Sequence, residues 1–160
     1  MRLIYTFFFV FFLVATSFGQ TFKLSELINM SKMNVDDFDT YVTSREFVFL
    51  GESRDMNFQG VNYAYKLNPR DKSEAKKHLT LYTRLYDFKN AITYQTFDKN
   101  EYLVIKNQIK NLGFIFKNSK VHTSKEGLMV NSFVYKKGKA EISLYVDLET
   151  FEINYKVLKN

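Results

Sequence analysis

"ITYQTFDKNEYLVIKNQIKNLGFIF" (residues 92–116) changes its period twice. Ile92, Tyr94 and Thr96 alternate with Thr93, Gln95 and Phe97, the two-residue repeat of a strand with distinct faces. From Asp98 the spacing turns helical: Tyr102, Ile105, Ile109 and Leu112 share one stripe, while Lys106, Asn107, Lys110 and Asn111 take other faces. Asp98 followed by Glu101 is a capping-box-like pattern, in which Asp98 accepts from the amide three residues on and Glu101 reaches back. Gly113 suits the left-handed residue that ends a helix, and "FIF" (114–116) returns to strand alternation. The chain here reads strand, helix, strand, with Asp98 at a boundary.

Working outward, the same order recurs upstream. In "VDDFDTYVTSREFVFLGES" (35–53), Val35, Phe38 and Val42 are helically spaced, and "FVF" (47–49) answers "FIF". Either Asn34 or Ser31 suits the helix N-cap. "NYAYK" (62–66) resembles "SFVYK" (132–136), "LTLY" (79–82) resembles "ISLY" (142–145), and "ITYQTF" resembles "INYKVL" (153–158). The matches keep their order, and their offsets change where turn residues permit insertions, as in the long loop 67–78 against "KKGK" (136–139). The expected fold is therefore α+β: a tandem repeat of a helix followed by a four-stranded antiparallel sheet, α-β4 twice, with helices covering one sheet face. The strands are expected near 46–53, 58–67, 78–88 and 91–97, then near 114–123, 128–136, 140–147 and 151–158. "LSELINM" (24–30) adds a short helix, and Gly138 supplies the positive-φ residue of a hairpin turn. The organisation predicted is a leader over 1–19, a first repeat over 20–97 and a second over 98–160.

The leader reading rests on Arg2, the apolar run "LIYTFFFVFFLV" (3–14), and small Ser17 and Gly19 at the positions a signal peptidase reads. The run is shorter than the roughly 18–20 apolar residues of a membrane span. The expected product is exported, periplasmic or secreted, begins at Gln20, and keeps no stable membrane span. Loss of Arg2 changes the formal charge from +6 to +5. The chain has no cysteine, which excludes disulfides, thiolate metal sites and thiol nucleophiles.

In the third strand of each half, Leu79, Leu81 and Leu85, then Ile142, Leu144 and Val146, are expected to face the helices. Thr80, Tyr82, Arg84 and Tyr86, then Ser143, Tyr145 and Asp147, take the other side. The adjacent Arg84 and Leu85 break the alternation and predict a bulge near Thr83. Tyr63 and Tyr65 share a face, and the sequence does not fix which. Tyrosines on an uncovered face would offer large contact area at low side-chain entropy cost. High β-propensity also explains tyrosine in strands without any partner. Tyr63, Tyr65, Tyr82, Tyr86 and Tyr145 are accordingly the aromatic candidates for partner binding.

The element order, the "GFIF" step (113–116) and the paired strand motifs resemble the β-lactamase-inhibitory-protein fold. With the Gly19-Gln20 junction they also resemble uncharacterised small exported proteins of Bacteroidetes-type bacteria. The resemblance spans nearly the whole chain after the leader and includes no functional motif. The chain lacks the inhibitor's disulfides, so inhibition would be carried over by analogy alone.

Catalysis needs convergent polar groups. His78 and His122 stand in no H-x-x-x-H or H-E-x-x-H context, Ser53 lacks the G-x-S-x-G elbow, and the six glycines form no phosphate loop. Asp36, Asp37 and Asp39 suit the positive end of a helix dipole, and Glu52 with Asp55 lacks calcium-loop spacing. The reading is non-enzymatic, with no cofactor and no metal: an exported binding module that binds or inhibits an envelope or secreted protein through the open sheet face. One alternative is an anionic envelope polymer bound by lysine-rich loops at 70–78, 117–120 with Lys125, and 136–139, with Lys76, Lys77, Lys136 and Lys137 as its candidates. Another is a hydrolase in which Glu52 and Asp55, or Asp147 and Glu149, converge. Intracellular nucleic acid is not an expected partner.

Overall fold

The computed structural model describes residues 21–56, 58–65, 75–85, 87–123 and 127–159. In chain order these form α1 (Leu24–Met30), α2 (Val35–Thr43), β1 (Phe47–Arg54), β2 (Phe58–Tyr65), β3 (Lys77–Leu85), β4 (Phe88–Thr96), α3 (Lys99–Asn111), β5 (Ile115–Thr123), β6 (Met129–Lys137), β7 (Ala140–Val146) and β8 (Phe151–Leu158). The leader and most of the 67–78 loop lie outside the described residues, as do Tyr86, Lys125 and the side chains of Arg84 and Leu85. Among the described residues no helix is long and apolar enough to cross a membrane.

The expected pair of helix-plus-four-strand repeats is corrected by the strand pairing. All eight strands join one antiparallel sheet in the order β1-β2-β3-β4-β8-β7-β6-β5, and the protein is mostly this sheet with three short helices. The strands read as closing the two repeats, β4 and β8, pair with each other from Thr96↔Phe151 to Phe88↔Leu158. Two inner edges that would have left main-chain groups unpaired are thereby removed. Nor does each helix serve its own sheet. α1 packs on both β4 and α3, so the helices cover a single shared core.

That core lies between the helices and one sheet face, with Leu27, Phe38, Ile105, Leu79, Ile92 and Leu144 at 0–2 % exposure. Phe22 anchors its centre: its ring meets Tyr94 edge-on at 5.3 Å and Phe47 at 5.6 Å, under the Arg45 guanidinium at 5.2 Å. Leu79, Leu81, Ile142 and Leu144 face the helices as their alternation predicts. The bulge lies at Thr83, where the register jumps from Gln59↔Arg84 to Gly60↔Tyr82. Thr83 donates its hydroxyl to the Gln59 carbonyl at 3.2 Å. Gly113 and Gly138 take φ of +80° and +56°, at the end of α3 and in the β6–β7 turn.

The caps show one departure. Asn34 caps α2 by accepting from the Asp37 amide at 2.8 Å, and Asp98 caps α3 by accepting from the Asn100 and Glu101 amides. Glu101 does not complete the expected capping box. Its side chain, 1 % exposed, turns into the core and accepts from the Phe22 amide at 3.1 Å, the Tyr94 hydroxyl at 2.8 Å and the Thr96 hydroxyl at 2.9 Å. The Lys77 ammonium completes the set, 3.1 Å from one carboxylate oxygen and 3.3 Å from the other. A buried carboxylate is tolerable when donors surround it, and this one has four.

Candidate functional site

Among the described residues the helices lie on one side of the sheet, and no described helix lies on the opposite face. Register places its residues in rows across the strands. The central row runs Asn62, Thr80, Thr93, Asn154 and Ser143, all small, polar and neutral. Tyr82, Ala91, Lys156 and Glu141 form the row on one side; His78, Gln95, Glu152 and Tyr145 form the row on the other.

Two shallow depressions interrupt this face. One, of about 230 Å³, is lined by Phe58, Tyr82, Phe88, Ala91, Asn154 and Lys156. Phe58 and Tyr82 meet edge-on at 5.7 Å, and the Lys156 ammonium sits 4.6 Å from the centre of the Phe88 ring. The other, of about 220 Å³, is lined by Gln95, Val130, Tyr145, Asp147, Thr150 and Glu152. Glu152 and Lys156 are four residues apart on β8, so the two depressions are separated by about 13 Å along the strand.

The charges on this face are unequal in their surroundings. Glu141 accepts Lys156 at 2.8 Å and Lys136 at 3.0 Å. Burial pushes its carboxyl up, but hydrogen bonds and attraction from the two lysines outweigh that and hold it below the usual carboxylate value. Glu152 has no ion pair among the described residues, and burial raises its pKa. Burial likewise lowers the His78 pKa. His122, on the outer strand β5, lies edge-on to Tyr145 at 6.3 Å.

The five candidate tyrosines do not act together. Tyr63 and Tyr65 are buried on the helix side at 2 % and 5 % exposure, which removes them from any partner surface. Tyr63 donates to Asp39 at 2.7 Å and packs edge-on against Phe38, and burial together with Asp39 raises its pKa. Tyr82 and Tyr145 are half-buried on the helix-free face, one at each depression. Tyr86 lies outside the described residues.

The four lysines do not form a free cationic patch. Lys77 is buried against Glu101, Lys136 is bound to Glu141, and Lys137 donates to the Leu112 carbonyl at the end of α3 at 2.7 Å. Lys76 alone of the four is exposed with none of these engagements. The carboxylates expected to converge are also occupied. Glu52 is held by Arg54 at 2.8 Å, and Asp147 accepts from the amides of Glu149 and Thr150 in its own turn. Neither expected pair converges in these depressions: Asp147 borders one of them without Glu149, and Glu52 and Asp55 border neither. Among the described residues no three His, Asp or Glu side chains cluster as metal ligands.

Reading by residue type missed Gln95, Glu152, Phe58 and Phe88 as lining residues. Their alternation was visible, but their place on one face depends on the β4–β8 register, which no local pattern carries. No family model matches the chain, and neither a curated protein nor a solved structure matches it.

Proposed function

We propose that this protein is an exported, non-enzymatic binding module that recognises a protein partner through the helix-free face of its sheet. The observation carrying this reading is the placement of Tyr82 and Tyr145 on that face, each bordering a depression of protein-side-chain size. Half-buried tyrosine offers a rigid ring and a hydroxyl to an incoming surface, a combination enriched at binding hot spots.

The test is capture of partners from the native cell envelope with the intact protein and with Tyr82→Ala and Tyr145→Ala. Both variants are expected to keep the far-ultraviolet spectrum of the parent and to lose the captured protein. Recovery of nothing specific, or equal recovery by the alanine variants, overturns the reading.

A further inference from the structure

The sheet has two outer strands, β1 and β5, and they differ as edges. In β1 the register breaks between Phe49 and Gly51, near the middle, and its charged residues Glu52 and Arg54 bind each other. In β5 the break falls between Phe116 and Asn118, near the start. Residues 118–123 then run in unbroken register against β6, from Asn118↔Val134 to Thr123↔Met129. Every residue of β5 is exposed.

The chemistry of this edge is two-sided. Ser119 pairs with Phe133, which packs against the core, so Ser119, Val121 and Thr123 lie toward the helix side. Asn118, Lys120 and His122 lie on the opposite side. Val121 is 58 % exposed, and Met129, across from Thr123, is 64 % exposed. β5 carries Lys117 and Lys120 and no acidic residue, and neither lysine has an ion pair among the described residues. Lysine on an edge discourages pairing with another basic strand while leaving an acidic one welcome.

We propose that β5 is a pairing edge for an extended segment of a partner protein in which acidic and apolar residues alternate. The segment adds a ninth strand along residues 118–123, hydrogen-bonding to the outward main-chain groups. Its acidic side chains lie beside Lys120 and its apolar side chains beside Val121. A second copy of this chain fits less well, because two β5 edges would bring lysines together with no acid between them. This edge borders the tyrosine-bearing face at His122, which lies edge-on to Tyr145 at 6.3 Å, but it binds through its main chain and does not depend on that face's role.

The test uses the full chain and a short peptide alternating glutamate and valine. Binding is expected to slow amide exchange within residues 118–123 while leaving β1 unchanged. Lys120→Glu is expected to weaken the peptide by about tenfold, as an attractive cross-strand pair becomes repulsive, and to favour a lysine–valine peptide instead. Asn118→Glu, exposed on the same side, should act in the same direction and guards against a folding defect in the first variant. Methylating alternate amides of the peptide should abolish binding, because it removes the strand's donors. No binding, protection elsewhere, equal binding by the methylated peptide, or concentration-dependent self-association through β5 would each overturn the proposal.

Discussion

Replacing Glu101 with glutamine keeps the shape of the side chain and removes the one charge that four donors converge upon. The carboxylate takes Phe22 and Tyr94 on one oxygen, Thr96 on the other, and Lys77 across both. A glutamine offers one acceptor atom and turns an amide donor toward groups that are themselves donors. It also removes the Glu101 charge from beside the Lys77 ammonium, whose side chain is 9 % exposed. Breaking a buried pair from one side typically costs about 3–5 kcal/mol. Against a total stability of about 5–15 kcal/mol, that is a large share. Urea unfolding of the parent, Glu101→Gln, Lys77→Met and the double variant gives the loss and the coupling energy together. We expect Glu101→Gln to lose about 3–5 kcal/mol, and the double variant to lose at least about 1 kcal/mol less than the sum of the singles. A loss below about 1 kcal/mol, or strict additivity, would refute the reading of Glu101 and Lys77 as a coupled buried pair.

Three further outcomes can be checked on purified protein. Tyr63→Phe removes a 2.7 Å hydrogen bond to Asp39 and should cost about 1–2 kcal/mol by the same urea assay. Tyr102 stacks on Phe151 at 4.7 Å, and its buried hydroxyl has no hydrogen-bond partner among the described residues, so Tyr102→Phe should be neutral or stabilising by up to about 1 kcal/mol. Burial, with a smaller contribution from Tyr135, pushes the Tyr102 pKa up to about 12, so the phenolate absorbance missing from that variant should belong to the far end of an alkaline titration. Glu152→Gln should raise stability at neutral pH. The folded pKa of Glu152 lies above its unfolded value, so the folded state is penalised once the carboxyl ionises. The advantage should shrink as pH falls below the ordinary glutamate value of about 4.3, where both states are protonated; an advantage independent of pH would refute the cause assigned.

The local grammar of the chain was readable because its signals are short-range. The change from alternation to helical spacing at Asp98, the adjacent Arg84 and Leu85 that announced the Thr83 bulge, and the glycines at 113 and 138 all act within a few residues. What was not readable depends on partners distant in sequence. Tyr63 and Tyr82 sit in similar alternating strands, yet one is buried and the other borders a depression, and only cross-strand register separates them. Glu101 carried the signature of a cap three residues after Asp98, but tertiary donors at Phe22, Lys77, Tyr94 and Thr96 outcompeted the local acceptor role. The expected tandem of helix-plus-four-strand units failed for the same reason: nothing within "ITYQTF" or "INYKVL" states that each is the other's neighbour.

That β4–β8 seam has a kinetic consequence. The residues it brings together are 55 to 70 positions apart in the chain, whereas the remaining neighbours in the sheet are joined by hairpins. Closing such a loop costs about 3.5 kcal/mol of chain entropy beyond a constant term, before any seam contact forms. The two hairpin stacks can therefore assemble early, and the slow step is their meeting at the middle of the sheet. Until then the two strands that meet at the middle of the sheet, Phe88–Thr96 and Phe151–Leu158, are the open edges of their stacks, each paired on one side only. Substitutions at the seam should slow folding more than substitutions on β1 or β5, and the interval before closure is when this protein is most exposed to aggregation.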